Sequence, residues 1–189
     1  MPADLAETYR AFAYNNAWEN HRLLAAYARL GAGEFEAERT GFFPSLQQTL
    51  NHILIIDLFY VDALEGGMLG PKAWEDPVPC PRLADLTAAQ RAVDQRLIDH
   101  CRGVTTESLA ATVTVNRVTR MQYERRDRLL MHLFQHQIHH RGQAHAMLAG
   151  TSVKPPQLDE FFSAGEAPLR AEEFRTLGWS EATIWGDQG

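Results

Sequence analysis

Five of the chain's eight histidines, His132, His136, His139, His140 and His145, fall in one short run. Imidazole ligates divalent ions, carries protons near neutral pH and is costly to bury unpaired, so the direction of each ring decides its chemistry. Successive residues of a helix turn by about 100°. With His136 set at zero, Leu129 and Met147 mark an apolar face near ~20°, Leu133 near ~60° and Leu148 near ~120°. His140 lands at ~40°, inside that face and one turn beyond His136. His132 and His139 sit at the edge, near ~−40° and ~−60°, and His145 lies on the far side near ~180°. Two imidazoles at i and i+4 can chelate one ion, as they do in zinc proteases. The protease motif itself is absent, because Gln137 stands where its Glu would be.

A metal site needs a further ligand, and His52 is the candidate. It shares a helix face with Ile56, Phe59 and Ala63. A buried imidazole without a partner costs about 1–3 kcal/mol, and three of them on two core helices compound that cost. A divalent ion satisfies all three and favours the neutral rings that burial already favours. Taken singly, each histidine reads more readily as a hydrogen-bonded core residue, and the residues alone leave both readings open. His132 is a substitute ligand. His21 and His100 have charged neighbours and read as surface residues.

Four helices would position these groups. Apolar and aromatic residues at helical spacing (Leu5, Tyr9, Phe12, Ala13, Leu23, Leu24, Tyr27, Leu30) predict a helix over about 3–31, stopped by Gly31 and Gly33. A second helix runs from Ser45 to about Glu65, apolar almost all round and therefore central. Four of the nine prolines lie between Gly70 and Pro81, a connection long enough to be a crossover. A third helix covers about Leu83–Cys101 and a fourth about Tyr123–Leu148, with a short extended segment or hairpin at 111–118 between them. One or two short helices follow near Leu169–Leu177. The expected architecture is all-α: one domain over 1–189, a four-helix bundle with a long crossover, its core at about 3–150 and a tail at 151–189.

Composition narrows the function classes. A net charge of −6 and a pI near 5.7 argue against nucleic-acid binding. The basic cluster Arg125–Arg126 and Arg128 is interleaved with Glu124 and Asp127 and reads as a solvated helix start. No segment has the roughly 18 apolar residues of a membrane span. The start, Met1 to Arg10, lacks the order of a signal peptide. Cys80 and Cys101 are isolated, which fits inert thiols in a reducing cytoplasm.

The run His132 to Leu148 (HLFQHQIHHRGQAHAML) closely resembles the signature of the DinB family. The segments Asn16-Ala-Trp-Glu-Asn20, Leu50-Asn-His-Ile-Leu54 and Pro155-Pro-Gln-Leu-Asp159 agree with that family in order and spacing, so the resemblance spans about residues 7–162. It implies a four-helix bundle with crossover topology, frequently dimeric, and a metal held by three histidines, which fall on His52, His136 and His140. Zinc or nickel is the leading ion, then iron or manganese. Three histidines leave a coordination position open, the pattern of a catalytic rather than a structural zinc site. Water there would approach a pKa of ~7, and a thiol would lose its proton. The resemblance implies a thiol-dependent S-transferase using a low-molecular-weight thiol and a small-molecule substrate, and the chemistry of a metal-bound water leaves metal-dependent hydrolysis as the other option. The non-catalytic alternative is a metal-binding stress-response scaffold. Gln143, near ~−20° and so on the metal side of its helix, and Asn16 or Asn20 are candidates for the shell around the metal; Gln143 would orient a bound water or substrate, or else cap the edge of the bundle. Arg141, near ~140°, would pair with a carboxylate or face a partner chain, and Trp18 belongs to the core.

Overall fold

The structure, a computed structural model, describes residues 4–159 and 163–186; the expected helix start at residue 3 and the end of the family-like segment at 160–162 lie outside the described residues. Four long helices carry the architecture. They are α1 (Leu5–Tyr27), α2 (Leu46–Leu64), α3 (Leu83–Gly103) and α5 (Arg126–Leu148). Asp4 caps α1 by accepting from the Ala6 amide, and Ser45 caps α2 by accepting from the Gln48 amide. Between α3 and α5 lie a single turn, α4 (Thr106–Leu109), and a hairpin of β1 (Thr112–Asn116) and β2 (Met121–Arg125). The strands pair antiparallel, with Thr112 opposite Arg125 and Asn116 opposite Met121. The tail forms α6 (Ala167–Leu177) and α7 (Glu181–Trp185).

Contacts between the long helices fix their directions. Asn20 and Asn16 of α1 meet Asp94 of α3, and Asp4 meets Thr106, so α1 and α3 run antiparallel. Asp57 meets Gln90 and Glu65 meets Arg96, so α2 and α3 run parallel. Thr49 lies by Met147 and Tyr60 by His132, so α2 and α5 run antiparallel. The expected crossover is therefore real. Residues 65–82 carry the chain back along the helices so that α3 can start beside the start of α2. The central place expected of α2 is also seen, since it packs on α5, α3 and β1.

Two boundaries differ from the sequence reading. The fourth long helix begins at Arg126 rather than Tyr123, because Tyr123 pairs with Thr114 in the hairpin. Here β-branched alternation across the ladder outweighs a helical pattern that the charged residues 124–128 would also allow. The first helix ends at Tyr27, earlier than the glycines suggested.

One feature of the interior was not visible as a pattern. Polar side chains from all four long helices meet inside the fold. Asp94 accepts from Asn16, Asn20 and Gln90, and Asp57 accepts from Gln90 at 2.8 Å and Gln137 at 3.0 Å. Arg141 donates to Asn16 and Asn20 and forms an ion pair with Glu19. All these residues except Glu19 are buried, Asp57 to 1% exposure and Arg141 to 3%. Burial pushes the Asp57 carboxyl up to about 8 and the Asp94 carboxyl up to about 6, against the pull of Arg141 and the amide bonds, and the neighbouring Asp94 adds to the rise at Asp57.

The tail docks on α1. Glu173 accepts from the Trp18 indole at 2.6 Å and pairs with Arg22, whose guanidinium stacks 4.4 Å from the Trp18 ring. Trp18, at 1% exposure, is a core residue as its sequence context suggested.

A raised Asp57 means that the folded chain binds more protons than the unfolded one between about pH 4 and 8, so unfolding free energy falls as pH climbs through that window. The histidines whose pKa burial lowers work the other way, because they take up protons on unfolding near their ordinary value of about 6.5, and that opposing slope fades only above about pH 7.5. Urea unfolding of metal-free protein from about pH 7.5 to 8.5 should show this decline, and Asp57→Asn should flatten it. An equal slope in the variant would place the proton elsewhere.

Candidate metal centre

The two histidines of α5 and the one of α2 come together. Ligand nitrogens of His52, His136 and His140 all lie within 4.8 Å of one another. The ring centroids are 5.0 Å apart for His52 and His136, 4.6 Å for His52 and His140, and 4.5 Å for His136 and His140. The Nε2 atoms of His52 and His136 are 3.0 Å apart. Two nitrogens each about 2.1 Å from one ion lie about 3.0 Å apart at a right angle and about 3.4 Å apart at the tetrahedral angle. The spacing therefore fits ligands of one ion, and small ring rotations would draw in the third.

The electrostatics fit a cation as well. Burial, with the neighbouring His140, lowers His52 to about 4; burial, with the surrounding histidines, lowers His136 to about 3. His140 is lowered by burial too, with its bond to Gln143 opposing. All three rings are thus neutral near pH 7, with lone pairs available. Without an ion, one N–H···N bond can serve the His52–His136 pair, and nothing equivalent draws in His140. Among the described residues no carboxylate or thiol joins the three nitrogens.

Gln143 stands where helix phase put it. Its Oε1 lies 2.8 Å from His140 Nδ1, and an amide oxygen only accepts, so the ring carries its proton on Nδ1 and leaves Nε2 free. The amide nitrogen of Gln143 reaches His139 at 3.2 Å. Asn16 and Asn20, the other candidates, are held by Asp94 and Arg141 in the interior cluster rather than against the triad. Arg141 takes the carboxylate of its two expected fates, through Glu19.

Of the remaining histidines, His139 stays beside the site with its ring 4.8 Å from that of His140, and the others separate from it. His132 is exposed, with its ring 5.2 Å from Tyr60, and His145 bonds the Pro156 carbonyl across the chain from the triad. His21 and His100 are half-buried rather than fully exposed. His21 Nδ1 and His100 Nε2 are unpartnered among the described residues, and burial lowers both pKa values. Their charged neighbours in sequence overstated the exposure, because a helix turns those neighbours onto other faces.

The sequence also gave no sign of the aromatic cover. Phe43, on the connection from α1 to α2, stacks 4.5 Å from His52 and 5.8 Å from His140, and Phe42 lies 6.2 Å from His140. The Arg39 amide donates to the Pro44 carbonyl at 2.8 Å and holds this turn. Gln143→Leu should free the His140 ring and weaken zinc binding by about 10- to 100-fold in competition with a chelator. Unchanged affinity would show that Gln143 does not orient the ligand.

Comparison with known proteins places this geometry. No curated protein matches the chain. A crystal structure of a DinB-like protein from Bacillus cereus is similar to it, with a TM-score of 0.59 and 18% identity over 77% of this chain and 94% of that one, a likeness of fold. The sequence model of the DinB family matches residues 1–173 and takes in every residue of the triad, so the chain belongs to the DinB family.

Proposed function

We propose that this four-helix DinB protein is a divalent-metal-dependent enzyme, with zinc or nickel held by His52, His136 and His140, and that its reaction is thiol-dependent S-transfer to a small molecule. The observation that carries the metal is the convergence of three neutral imidazoles on one point. When bound, the ion would supply a Lewis-acid position able to lower the pKa of a thiol or a water presented to it. The choice of thiol over water rests on what surrounds the triad. Water-splitting zinc sites of the protease type pair the ion with a carboxylate base. Here Gln137 occupies that sequence position and turns inward to Asp57, and no carboxylate of the described residues joins the cluster. A thiol needs no such base once its proton is lost. Phe42 and Phe43 would screen the reacting sulfur from solvent.

Metal analysis of purified protein tests the first part: His136→Ala should cut bound metal sharply, and His145→Ala should leave it unchanged. Equal stoichiometry in wild type and His136→Ala would discard the triad. For the second part, low-molecular-weight thiols should perturb the visible spectrum of the cobalt-substituted protein. A silent spectrum at saturating thiol, with electrophile turnover also absent, would move the assignment to hydrolysis or to a non-catalytic metal-binding scaffold.

A homodimer belongs to the same reading. Leu5 and Phe12 on α1, and Met131 and Ile138 on α5, are exposed apolar residues at seven-residue spacing on two adjacent helices. Such a stripe suits a second copy of the chain. Sedimentation should report a dimer that Ile138→Glu converts to monomer; a monomeric wild type would remove this part.

A further inference from the structure

Beside the triad lies a pocket of about 240 Å³ lined by Phe43, Gln48, His52, Ile55, Ile56, Trp74 and Pro77. Three features set it apart. It shares His52 with the triad, so whatever fills it stands next to the ion. Its lining holds no Asp, Glu, Lys or Arg, and apart from His52 its one polar side chain is Gln48. Its outer wall comes from the crossover, whose sequence showed only prolines and a loop.

That wall is built rather than loose. Residues Gly70–Trp74 form a 3-10 turn that begins at a glycine with φ +54°, against which Asn116 of β1 packs so closely that a Cβ would fall 2.4 Å from its Nδ2. Only glycine fits there. The turn sets the Trp74 ring 4.9 Å from the Phe59 ring, which is itself 1% exposed. The Val78 amide donates to Asp76 Oδ1 and fixes the bend around Pro77. On the opposite side, Gln48, His52, Ile55 and Ile56 follow one face of α2 at i, i+4, i+7 and i+8.

We propose that this pocket receives an uncharged, apolar group, a single aromatic ring or short alkyl chain, of the compound whose polar end reaches the ion. The substrate class is therefore an apolar small molecule rather than an anionic metabolite. This rests on the metal-centre reading above and adds the shape and polarity of what that centre accepts. A charged group would lose its hydration in the pocket and find no counter-charge, whereas a ring is met by Trp74, Phe43 and two isoleucines. The volume lies below the range of about 300–1,000 Å³ typical of sites for drug-sized ligands, which limits the group to one ring.

Hydroxamates with graded tails separate the pocket from the metal. Calorimetry on zinc-loaded protein would compare acetohydroxamate, 4-fluorobenzohydroxamate and 4-carboxybenzohydroxamate. The fluorophenyl tail should tighten binding by about 10- to 100-fold over the methyl, the gain expected for burying one ring. The carboxylate should forfeit most of that gain. Trp74→Ala should abolish it and leave acetohydroxamate, which reaches only the ion, bound about as in wild type. Three equal affinities, or a gain that survives Trp74→Ala, would overturn the proposal. If no hydroxamate binds, the metal reading has failed on its own, and fluorine NMR of 4-fluorobenzyl alcohol with the protein then decides the pocket. A shifted resonance that returns to the free position in Trp74→Ala supports it, and an unshifted one overturns it.

Discussion

The arrangement depends on the interior cluster of Asp57, Asp94, Gln90, Gln137, Asn16, Asn20 and Arg141. An apolar helix face can slide or rotate against its neighbour at modest cost, because one leucine replaces another. A buried carboxyl group that accepts from two named amides cannot. Any rotation of α5 that moved Gln137 from Asp57, or Arg141 from Glu19 and the two asparagines, would leave buried polar groups unpaired at about 1–3 kcal/mol each and more for the charges. The cluster therefore fixes the phase of α5 against α1, α2 and α3 together. Its contribution to specificity is clearer than its contribution to stability, since burying Asp57 and Asp94 is itself costly enough to raise both pKa values.

That phase puts the triad at the rim of the interior. The buried stripe of α5, through Leu130, Leu133, Gln137, Arg141, Ala144 and Leu148, is centred about 100° from His136. His140 is 8% exposed at the edge of this stripe, and His136 is more open. A site at the rim can be reached by a substrate, while a site at the centre would be a sealed structural one. The cost of partial burial is enough to keep the rings neutral without closing them off.

Much of this was legible in the residues. The i, i+4 pair on α5, the third histidine on α2, the crossover after α2 and the Gln143 position followed from helical phase and from the length of the proline-rich connection. The resemblance to the DinB family selected the same three histidines. The interior cluster was not legible, because Asp57, Gln90 and Asp94 look like ordinary polar residues of amphipathic helices, and only the packing shows which polar face turns inward. The N-terminal end of α5 was misread because β2 and the first helical turn share one charged stretch. Trp74 and Phe43 were hidden for another reason. They stand on connections, where no periodicity reports direction, and their placement follows from turn geometry at Gly70 and at Arg39–Pro44.

The cluster and the triad are also interleaved in the sequence itself. His136 is followed by Gln137, and His140 by Arg141, so each candidate ligand of α5 has an interior anchor one residue, about 100°, away. On α2, Asn51 precedes His52, and its side chain bonds both the amide and the carbonyl of Cys80 at the end of the crossover. Each imidazole thus sits beside a residue whose hydrogen bonds stop its helix from turning. Separation of the two tasks follows from the helix alone: one residue supplies a lone pair at the rim, and its neighbour reaches inward to hold that rim in register. Substituting an anchor would alter the geometry of the three imidazoles without touching any of them, and substituting a histidine would leave the interior bonds in place. The histidine run is therefore recognisable as a motif because its chemistry and its architecture are carried by adjacent residues, not by the histidines alone.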